Sequence, residues 1–199
     1  ALLTSGSLRH VLVIGAETLS RVTDPNDRGT CILFGDGAAA MVLTPSDDDG
    51  PGLISWDLGC DGSSAGLLGI TAGGSRVPAS EKTIAAGMQY IKMQGQEVFR
   101  RAVRVVVDSA LISLERAGIT TNEIDWFIPH QANLRIIEAG ARRLKIPMDK
   151  TIVNIDKYGN TSAASIPLAL AEAADSGKIK SGDRILLSGF GAGMTWGSA

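Results

Sequence analysis

Cysteine, histidine and aromatic residues are scarce in this 199-residue chain, which contains two cysteines, two histidines, three tryptophans, two tyrosines and four phenylalanines. Two cysteines without close spacing argue against a disulfide framework and a zinc site, and they suit a reducing compartment, the cytoplasm by default. No apolar run approaches the ~18 residues of a transmembrane helix, and the first residues do not resemble a signal peptide. We therefore expect no membrane anchor and no secretion.

A surplus of positive charge is also lacking, since 19 lysines and arginines are balanced by 21 aspartates and glutamates, for a formal net charge of −2. No basic stripe with interleaved aromatic residues is present, so we expect no nucleic-acid partner. Hydrophobic residues make up 44% of the chain, which is ordinary for a globular protein.

Short apolar segments alternate with helical patterns along the chain, which indicates an α/β fold. Apolar runs predict strands at 9–15, 31–34 with 38–43, 53–58, 124–128, 152–155, 183–188 and after residue 193. The first of these strands is predicted to be buried on both faces. Helical spacing predicts helices at 94–117, 133–144 and 161–174. Residues 45–52 are predicted to form an exposed turn, and residues 59–86 a long loop or flap.

Two polar residues stand out because of the segments that contain them. His130 lies in 126–133 (Trp-Phe-Ile-Pro-His-Gln-Ala-Asn), after a predicted strand, and Asn160 lies in 158–165 (Tyr-Gly-Asn-Thr-Ser-Ala-Ala-Ser), before a predicted helix. A neutral imidazole and a carboxamide can both donate an N–H to a developing oxyanion without adding formal charge. Either residue alone has an ordinary structural interpretation, a buried histidine or a helix cap. Their joint occurrence favours a catalytic pair, whereas His10 has no such context.

These two segments resemble the histidine and asparagine motifs of β-ketoacyl-[acyl carrier protein] synthase III, a family of the thiolase superfamily. The resemblance implies a thiolase-like layered α/β/α/β/α fold with internal duplication, incomplete in this fragment. Residues 1–86 would then be the remainder of the N-terminal half plus the flap loop, and residues 87–199 the C-terminal half. A weak echo between Phe34-Gly35-Asp36-Gly37 and Phe190-Gly191-Ala192-Gly193 agrees with a duplication.

The resemblance also implies a reaction, the decarboxylative Claisen condensation of an acyl-CoA primer with malonyl-acyl carrier protein to give 3-oxoacyl-acyl carrier protein. The family uses a Cys/His/Asn triad, and neither cysteine here stands in the expected motif. Cys31 is predicted to be a small core residue in a strand, and Cys60 to lie in a loop. We therefore expect the nucleophile upstream of Ala1, and no acyl-enzyme from this chain alone. No metal or cofactor is expected, since acyl-CoA and malonyl-acyl carrier protein are substrates.

Further residues match family positions with assigned roles. Arg28 matches an arginine that binds the coenzyme A nucleotide, and Gly191 a glycine whose backbone N–H completes a second oxyanion hole. Asn133 would support the site, or would simply cap the following helix. The residues that match the acyl and pantetheine channel are Leu19, Met93, Gly95, Phe99 and Phe190. The alternative for Leu19, Met93 and Phe99 is that they are ordinary core residues.

Basic residues cluster on one predicted helix, where Arg135, Arg142 and Arg143 fall on one side. With Arg100 and Lys145 they match the surface on which the family docks the acidic acyl carrier protein, although an ordinary solvated helix face has the same pattern. The resemblance further implies a homodimer in the intact enzyme.

Three other functions remain open at this point. The chain is also compatible with a condensing enzyme of secondary metabolism from the same family and with a non-catalytic carrier-binding protein. A cysteine hydrolase that uses Cys60, His130 and Asn160 has the residues in the right order, but it lacks the local sequence signature of that class.

Overall fold

The computed structural model describes residues 3–46 and 52–199. The strands of this part are β1 (Val11–Thr18), β2 (Asp36–Leu43), β3 (Asp57–Cys60), β4 (Leu68–Ile70), β5 (Ile91–Met93), β6 (Trp126–Pro129), β7 (Ile185–Gly191) and β8 (Thr195–Ser198). The α-helices are α1 (Glu81–Ala85), α2 (Gly95–Ala117), α3 (Leu134–Leu144), α4 (Ile155–Tyr158) and α5 (Ser165–Asp175). Short 3₁₀ helices span Leu19–Val22, Gly62–Leu67, Thr121–Glu123, Met148–Lys150 and Ser162–Ala164. Within the described part of the chain, none of the helices has the length and apolar composition that a bilayer-spanning segment needs.

A four-stranded sheet in the order β3-β8-β7-β6 forms the centre of the fold. Strands β6 and β7 run parallel, and the other neighbours are antiparallel. Because side chains alternate along a strand, the two faces of this sheet contribute to different cores. Phe127 and Leu186 pack with residues of α2 and α3, whereas Ile128 packs with Ala169 and Ala173 of α5. The sheet therefore lies between α2 with α3 on one face and α5 on the other.

The long helix α2 has the predicted position and the predicted end. Its buried residues include Val98, Ala102, Val106, Ala110 and Leu114, which recur every fourth position and so lie on one face. The helix ends at Gly118, whose φ of 66° lies in the left-handed region that glycine adopts at low cost. This apolar face places α2 against the central sheet and fixes the position of Phe99 at the first turn.

A second sheet, formed by antiparallel β1 and β2, lies on the far side of α5 and of the 3₁₀ turn that precedes it. The described residues thus stack as helix, sheet, helix, sheet. The prediction of a first strand buried on both faces is wrong for this structure, because Leu12 and Ile14 of β1 and Val42 of β2 are 58%, 62% and 65% exposed. Among the described residues, helical packing covers only the opposite face of this sheet.

Two predicted strands are absent from the described residues. Residues 31–33 form a turn in which the Cys31 N–H is donated to the Asp27 carbonyl and the Leu33 N–H to the Thr30 carbonyl, and Phe34 forms only a single bridge, to Asn160. Residues 152–154 form no strand; the residue before them, Thr151, makes a single bridge to Phe127, and α4 begins at Ile155. The N–H of Asn154 is donated to the Gln131 side chain instead of to a neighbouring strand.

The predicted flap at 59–86 has more regular structure than expected. Asp61 caps a 3₁₀ helix by accepting from the Ser63 N–H, β4 pairs with β5, and a capping box between Ser80 and Thr83 starts α1. The predicted strand at 53–58 begins only at Asp57, while Leu53 and Ile54 are exposed. Residues 47–51 of the predicted exposed turn lie outside the described residues. The division at residue 86 stays a prediction.

Candidate active site

His130 directly follows the last residue of β6, at the carboxyl end of the parallel pair β6 and β7. Its backbone N–H is donated to the Ser188 carbonyl at 2.8 Å, which continues the pairing of the two strands by one residue. The side chain is half-buried, and its ring meets the edge of Phe190 at a centroid distance of 5.4 Å and an interplanar angle of 70°. The end of a buried strand therefore holds the imidazole rigidly.

The surroundings of His130 favour its neutral form. Burial lowers the pKa of His130 from 6.5 to about 4, because the protein replaces the water that would solvate an imidazolium. Nδ1 lies 2.5 Å from the Ser165 hydroxyl. At neutral pH the ring is thus an uncharged group with one donor and one acceptor nitrogen.

Asn160 is held by its backbone and its side chain is oriented by a neighbour. Its N–H is donated to the Leu33 carbonyl at 2.8 Å, and its own carbonyl accepts from the Gly35 N–H at 2.9 Å. A Cβ at position 35 would lie 2.0 Å from the Tyr158 carbonyl oxygen, so only glycine permits this approach. Oδ1 of Asn160 accepts from the Ser162 N–H at 2.9 Å. The Nδ2 hydrogens are therefore the group that Asn160 can offer to a ligand.

His130 and Asn160 line the same cavity, which has a volume of about 940 Å³. This volume is at the upper end of the range typical of small-molecule sites. The predicted residues that line it are Leu19, Met93, Gly95, Phe99, His130, Asn133, Asn160, Phe190 and Gly191. The structure thus brings together the predicted donor pair, the channel residues and the glycine loop. Their roles toward a substrate stay predictions.

Asn133 lines the cavity and also caps α3. Its Oδ1 accepts a hydrogen bond from the Arg135 N–H at 2.9 Å, which satisfies one of the free N–H groups of the first turn. The helix-cap interpretation of Asn133 is therefore confirmed, while a supporting role in the site stays a prediction.

The predicted basic residues lie outside the cavity lining. Arg28 is exposed in a turn, next to Gly29, which does line the cavity. Arg135, Arg142 and Arg143 are exposed on α3, and Lys145 is exposed at the residue that ends this helix. Arg100 is exposed on α2 and forms an ion pair with Glu97. The four basic residues at 135, 142, 143 and 145 form a basic surface on α3 and at its end.

Neither cysteine shares the surroundings predicted for it. Cys31 lies in the 31–33 turn and is only half-buried, so its predicted place in a buried strand is wrong. Cys60 is exposed at the end of β3, where a loop was predicted. Neither residue lines the cavity that contains His130 and Asn160. Among the described residues, no group of three or more metal-ligating side chains comes together.

The sequence patterns did not indicate the roles of two further residues of this region, Gln131 and Ser165. Gln131 is buried, donates to the Pro129 and Ile152 carbonyls, and accepts from the Asn154 N–H. It thereby joins the turn that contains His130 to the segment that leads to Asn160. Both residues stand inside the two motifs, so their proximity to His130 and Asn160 along the chain was the available signal.

Comparison with known proteins identifies two family models along the chain. The model described as "3-Oxoacyl-[acyl-carrier-protein (ACP)] synthase III" matches residues 1–62, and the model of the C-terminal part of the same synthase matches residues 114–199. A protein named "Beta-ketoacyl-[acyl-carrier-protein] synthase III" from Roseiflexus castenholzii is 48% identical over 199 residues, covering 100% of this chain and 60% of that protein. One of the same name from Desulfitobacterium hafniense is 51% identical over 197 residues, covering 99% and 59%.

Solved structures agree with the sequence comparison. The crystal structure of 3-oxoacyl-[acyl-carrier-protein] synthase III from Aquifex aeolicus matches with a TM-score of 0.87 and 46% identity, covering 99% of this chain and 59% of the other. The predicted thiolase-like α/β fold is therefore confirmed. The chain spans about 60% of the length of the curated relatives it matches. The two family models, these relatives and the shared fold show that the chain belongs to the 3-oxoacyl-[acyl-carrier-protein] synthase III family.

Proposed function

We propose that the natural polypeptide containing this chain condenses an acyl-CoA primer with malonyl-acyl carrier protein, with loss of carbon dioxide, to give 3-oxoacyl-acyl carrier protein at the start of fatty acid biosynthesis. The observation that carries the proposal is that His130 and Asn160 line one cavity, each with a neutral N–H group. Family membership supports the same reaction class. The proposal concerns the whole polypeptide, because the chain covers about 60% of its relatives.

The first half of the reaction would load the enzyme. A thiolate attacks the carbonyl carbon of the acyl-CoA, the C–S bond to coenzyme A breaks, and the coenzyme A thiolate leaves. Because neither Cys31 nor Cys60 lines the cavity, we assign the attacking thiol to a residue outside this chain. The backbone at Gly191, at the end of β7, is the proposed donor to the oxyanion of this step.

The second half would use the donor pair. The bond between the malonyl carboxylate and the α-carbon breaks, carbon dioxide leaves, and the electron pair becomes an enolate whose charge develops on the thioester oxygen. His130 and Asn160 would donate to that oxygen, and a neutral imidazole does so without transferring its proton. The enolate carbon then attacks the bound acyl group, a C–C bond forms, and the enzyme thiolate is released.

Substitution of the donor pair tests this assignment. Asn160→Asp keeps the acceptor for the Ser162 N–H but places a carboxylate where the donor was, and His130→Ala removes the imidazole. Each should slow the release of carbon dioxide from malonyl-acyl carrier protein ~100-fold or more. Transfer of the acetyl group from acetyl-CoA to the enzyme, followed by mass spectrometry, should persist.

The matched control is His10→Ala, which removes the other histidine of this chain, an exposed one. It should leave both half-reactions unchanged. Decarboxylation at the wild-type rate in either donor variant would contradict the proposal. An acyl group mapped to Cys60 would replace it with cysteine hydrolase chemistry.

We also propose that the basic surface of α3 docks the acyl carrier protein. Arg142 and Arg143 are exposed in the last turn, and Lys145 follows them. An acidic partner would be attracted over several ångströms, so its association should weaken as salt rises. Charge reversal of Arg142 and Arg143 to glutamate should raise KM for the malonyl-acyl carrier protein and leave KM for acetyl-CoA unchanged.

The control for docking is Lys180→Glu, at an exposed lysine of the loop before β7. It should leave both KM values near those of the wild type. Equal effects of the control and the α3 variants would assign the change to net charge instead of to a docking surface. Contact of Arg28 with the coenzyme A nucleotide, a homodimer and a cytoplasmic location remain part of this proposal, on the family resemblance alone.

A further inference from the structure

Ser165 is the first residue of α5 and is almost fully buried, with 2% of its surface exposed. Its hydroxyl oxygen lies 2.5 Å from Nδ1 of His130, 35 residues away along the chain. The same oxygen accepts a hydrogen bond from the Gln131 backbone N–H at 3.4 Å. Packing of α5 against β6 brings these three groups together. A buried serine hydroxyl is therefore in direct contact with the imidazole proposed to act on the substrate.

The direction of the hydrogen bond between Ser165 and His130 follows from counting donors. The Gln131 N–H can only donate, so it uses one lone pair of the Ser165 oxygen. The Ser165 hydroxyl can donate one hydrogen bond, and among its partners in the described residues only Nδ1 of His130 can accept it. If Nδ1 carried a proton instead, the Ser165 hydroxyl would be left as a buried donor without an acceptor, which is unfavourable.

From this geometry we propose that Ser165 is a positioning residue that donates to Nδ1 of His130 and so keeps the imidazole proton on Nε2. Nε2–H is then the group that His130 offers to the cavity. The opposite tautomer would turn an unprotonated nitrogen toward the thioester oxygen and repel the developing charge. The lowered pKa of His130 supports the proposal, because only a neutral ring has two tautomers to choose between. The catalytic consequence rests on the proposed function, whereas the tautomer does not.

Packing also holds the imidazole ring. The edge-on contact with Phe190, at a centroid distance of 5.4 Å, limits tilting of the ring, and a Cβ added at Gly189 would lie 3.4 Å from Cδ1 of Ile166 and 3.8 Å from Cβ of His130, so little free space remains there. Phe190 has no polar group that could select a tautomer. The hydroxyl of Ser165 is therefore the group that distinguishes the two nitrogens, while packing fixes the ring plane.

Nuclear magnetic resonance of the natural polypeptide, labelled with ¹⁵N at histidine, tests the tautomer without any substrate. The His130 signals are assigned by their loss in His130→Gln. At pH 7 the wild type should show one neutral tautomer with the proton on Nε2. Ser165→Ala should show a mixture or a shift to the Nδ1–H form. A wild-type ring protonated on Nδ1, or a Ser165→Ala ring that keeps Nε2–H alone, would overturn the proposal.

Kinetics supply the second readout. Loss of the partner that orients a metal-bound histidine typically costs about 10–100-fold, and we expect a fall in kcat of about 10-fold for Ser165→Ala, with KM within twofold of the wild type. The matched control is Ser113→Ala, which removes an equally buried serine hydroxyl near the carboxyl end of α2, hydrogen-bonded to the Ser55 hydroxyl. It should change neither the tautomer nor kcat. If the tautomer shifts in Ser165→Ala but neither the wild type nor any variant condenses the substrates, the proposed function fails while the role of Ser165 stands.

Discussion

Because His130 is held in a site that disfavours its charged form, the protein should lose stability in mild acid. Burial lowers the pKa of His130 from 6.5 to about 4. The unfolded chain therefore takes up this proton below about pH 6.5, whereas the folded protein resists it until about pH 4. The pKa of His130 is lower in the folded than in the unfolded protein. Its neutral form therefore does not reduce the free energy of unfolding above pH 6.5, and this free energy falls progressively as the pH falls toward 4.

The size of this loss follows from the two pKa values. Proton linkage gives a decrease in the free energy of unfolding of about 2 kcal/mol at pH 5 relative to pH 8, and of about 3 kcal/mol at pH 4. Hydrogen bonds lower the pKa values of carboxyl groups such as Asp27 and Asp36 below 3.8. Their contribution is lost mainly below pH 4, so the interval from pH 8 to 5 reports chiefly on histidine.

Urea denaturation at pH 8 and pH 5 measures this loss in three proteins, the wild type, His130→Gln and His10→Gln. The wild type and the exposed-site control His10→Gln should each lose about 2 kcal/mol between the two pH values. His130→Gln should lose much less, whatever its stability at pH 8. If His130→Gln loses as much as the wild type, the neutral state of His130 is refuted, and with it the argument for an uncharged donor.

Three further substitutions test the scaffold of the site. Asn133→Ala should lower the free energy of unfolding by about 1 kcal/mol through loss of the α3 cap, whereas Asn133→Ser should retain it; equal losses in urea denaturation would speak against capping. Gly35→Ala should cost about 1–3 kcal/mol, because its Cβ would lie 2.0 Å from the Tyr158 carbonyl oxygen, and wild-type stability would show that this contact is not tight. Phe127→Ala should cost about 3–5 kcal/mol by leaving a cavity between α2 and the sheet, and a loss below 1 kcal/mol would contradict the packing described.

Sequence patterns correctly predicted the secondary-structure elements that are stabilised by interactions within a single segment of the chain. The apolar face of α2 and its end at Gly118 depend on spacing within one helix and on the conformational freedom of one glycine, so both could be read directly. The predictions failed where a distant or polar partner binds the backbone. Nothing in the apolar run at 152–155 reveals that the Gln131 side chain accepts the Asn154 N–H. The apolar run at 31–34 likewise does not reveal the turn in which the Cys31 N–H is donated to the Asp27 carbonyl.

The α/β class, the long helix α2 and the candidate pair His130 and Asn160 could be derived from the sequence, because each rests on a short motif or on a periodic pattern. Three features became visible only in the folded chain: the two side chains line one cavity, desolvation keeps His130 neutral, and Ser165 contacts Nδ1 of His130. The exposure of Leu12, Ile14 and Val42 in the β1–β2 sheet was likewise visible only in the folded chain. The physical reason is that desolvation and hydrogen bonding between distant segments depend on which layers pack together, and packing of α5 between the two sheets is a property of the whole fold.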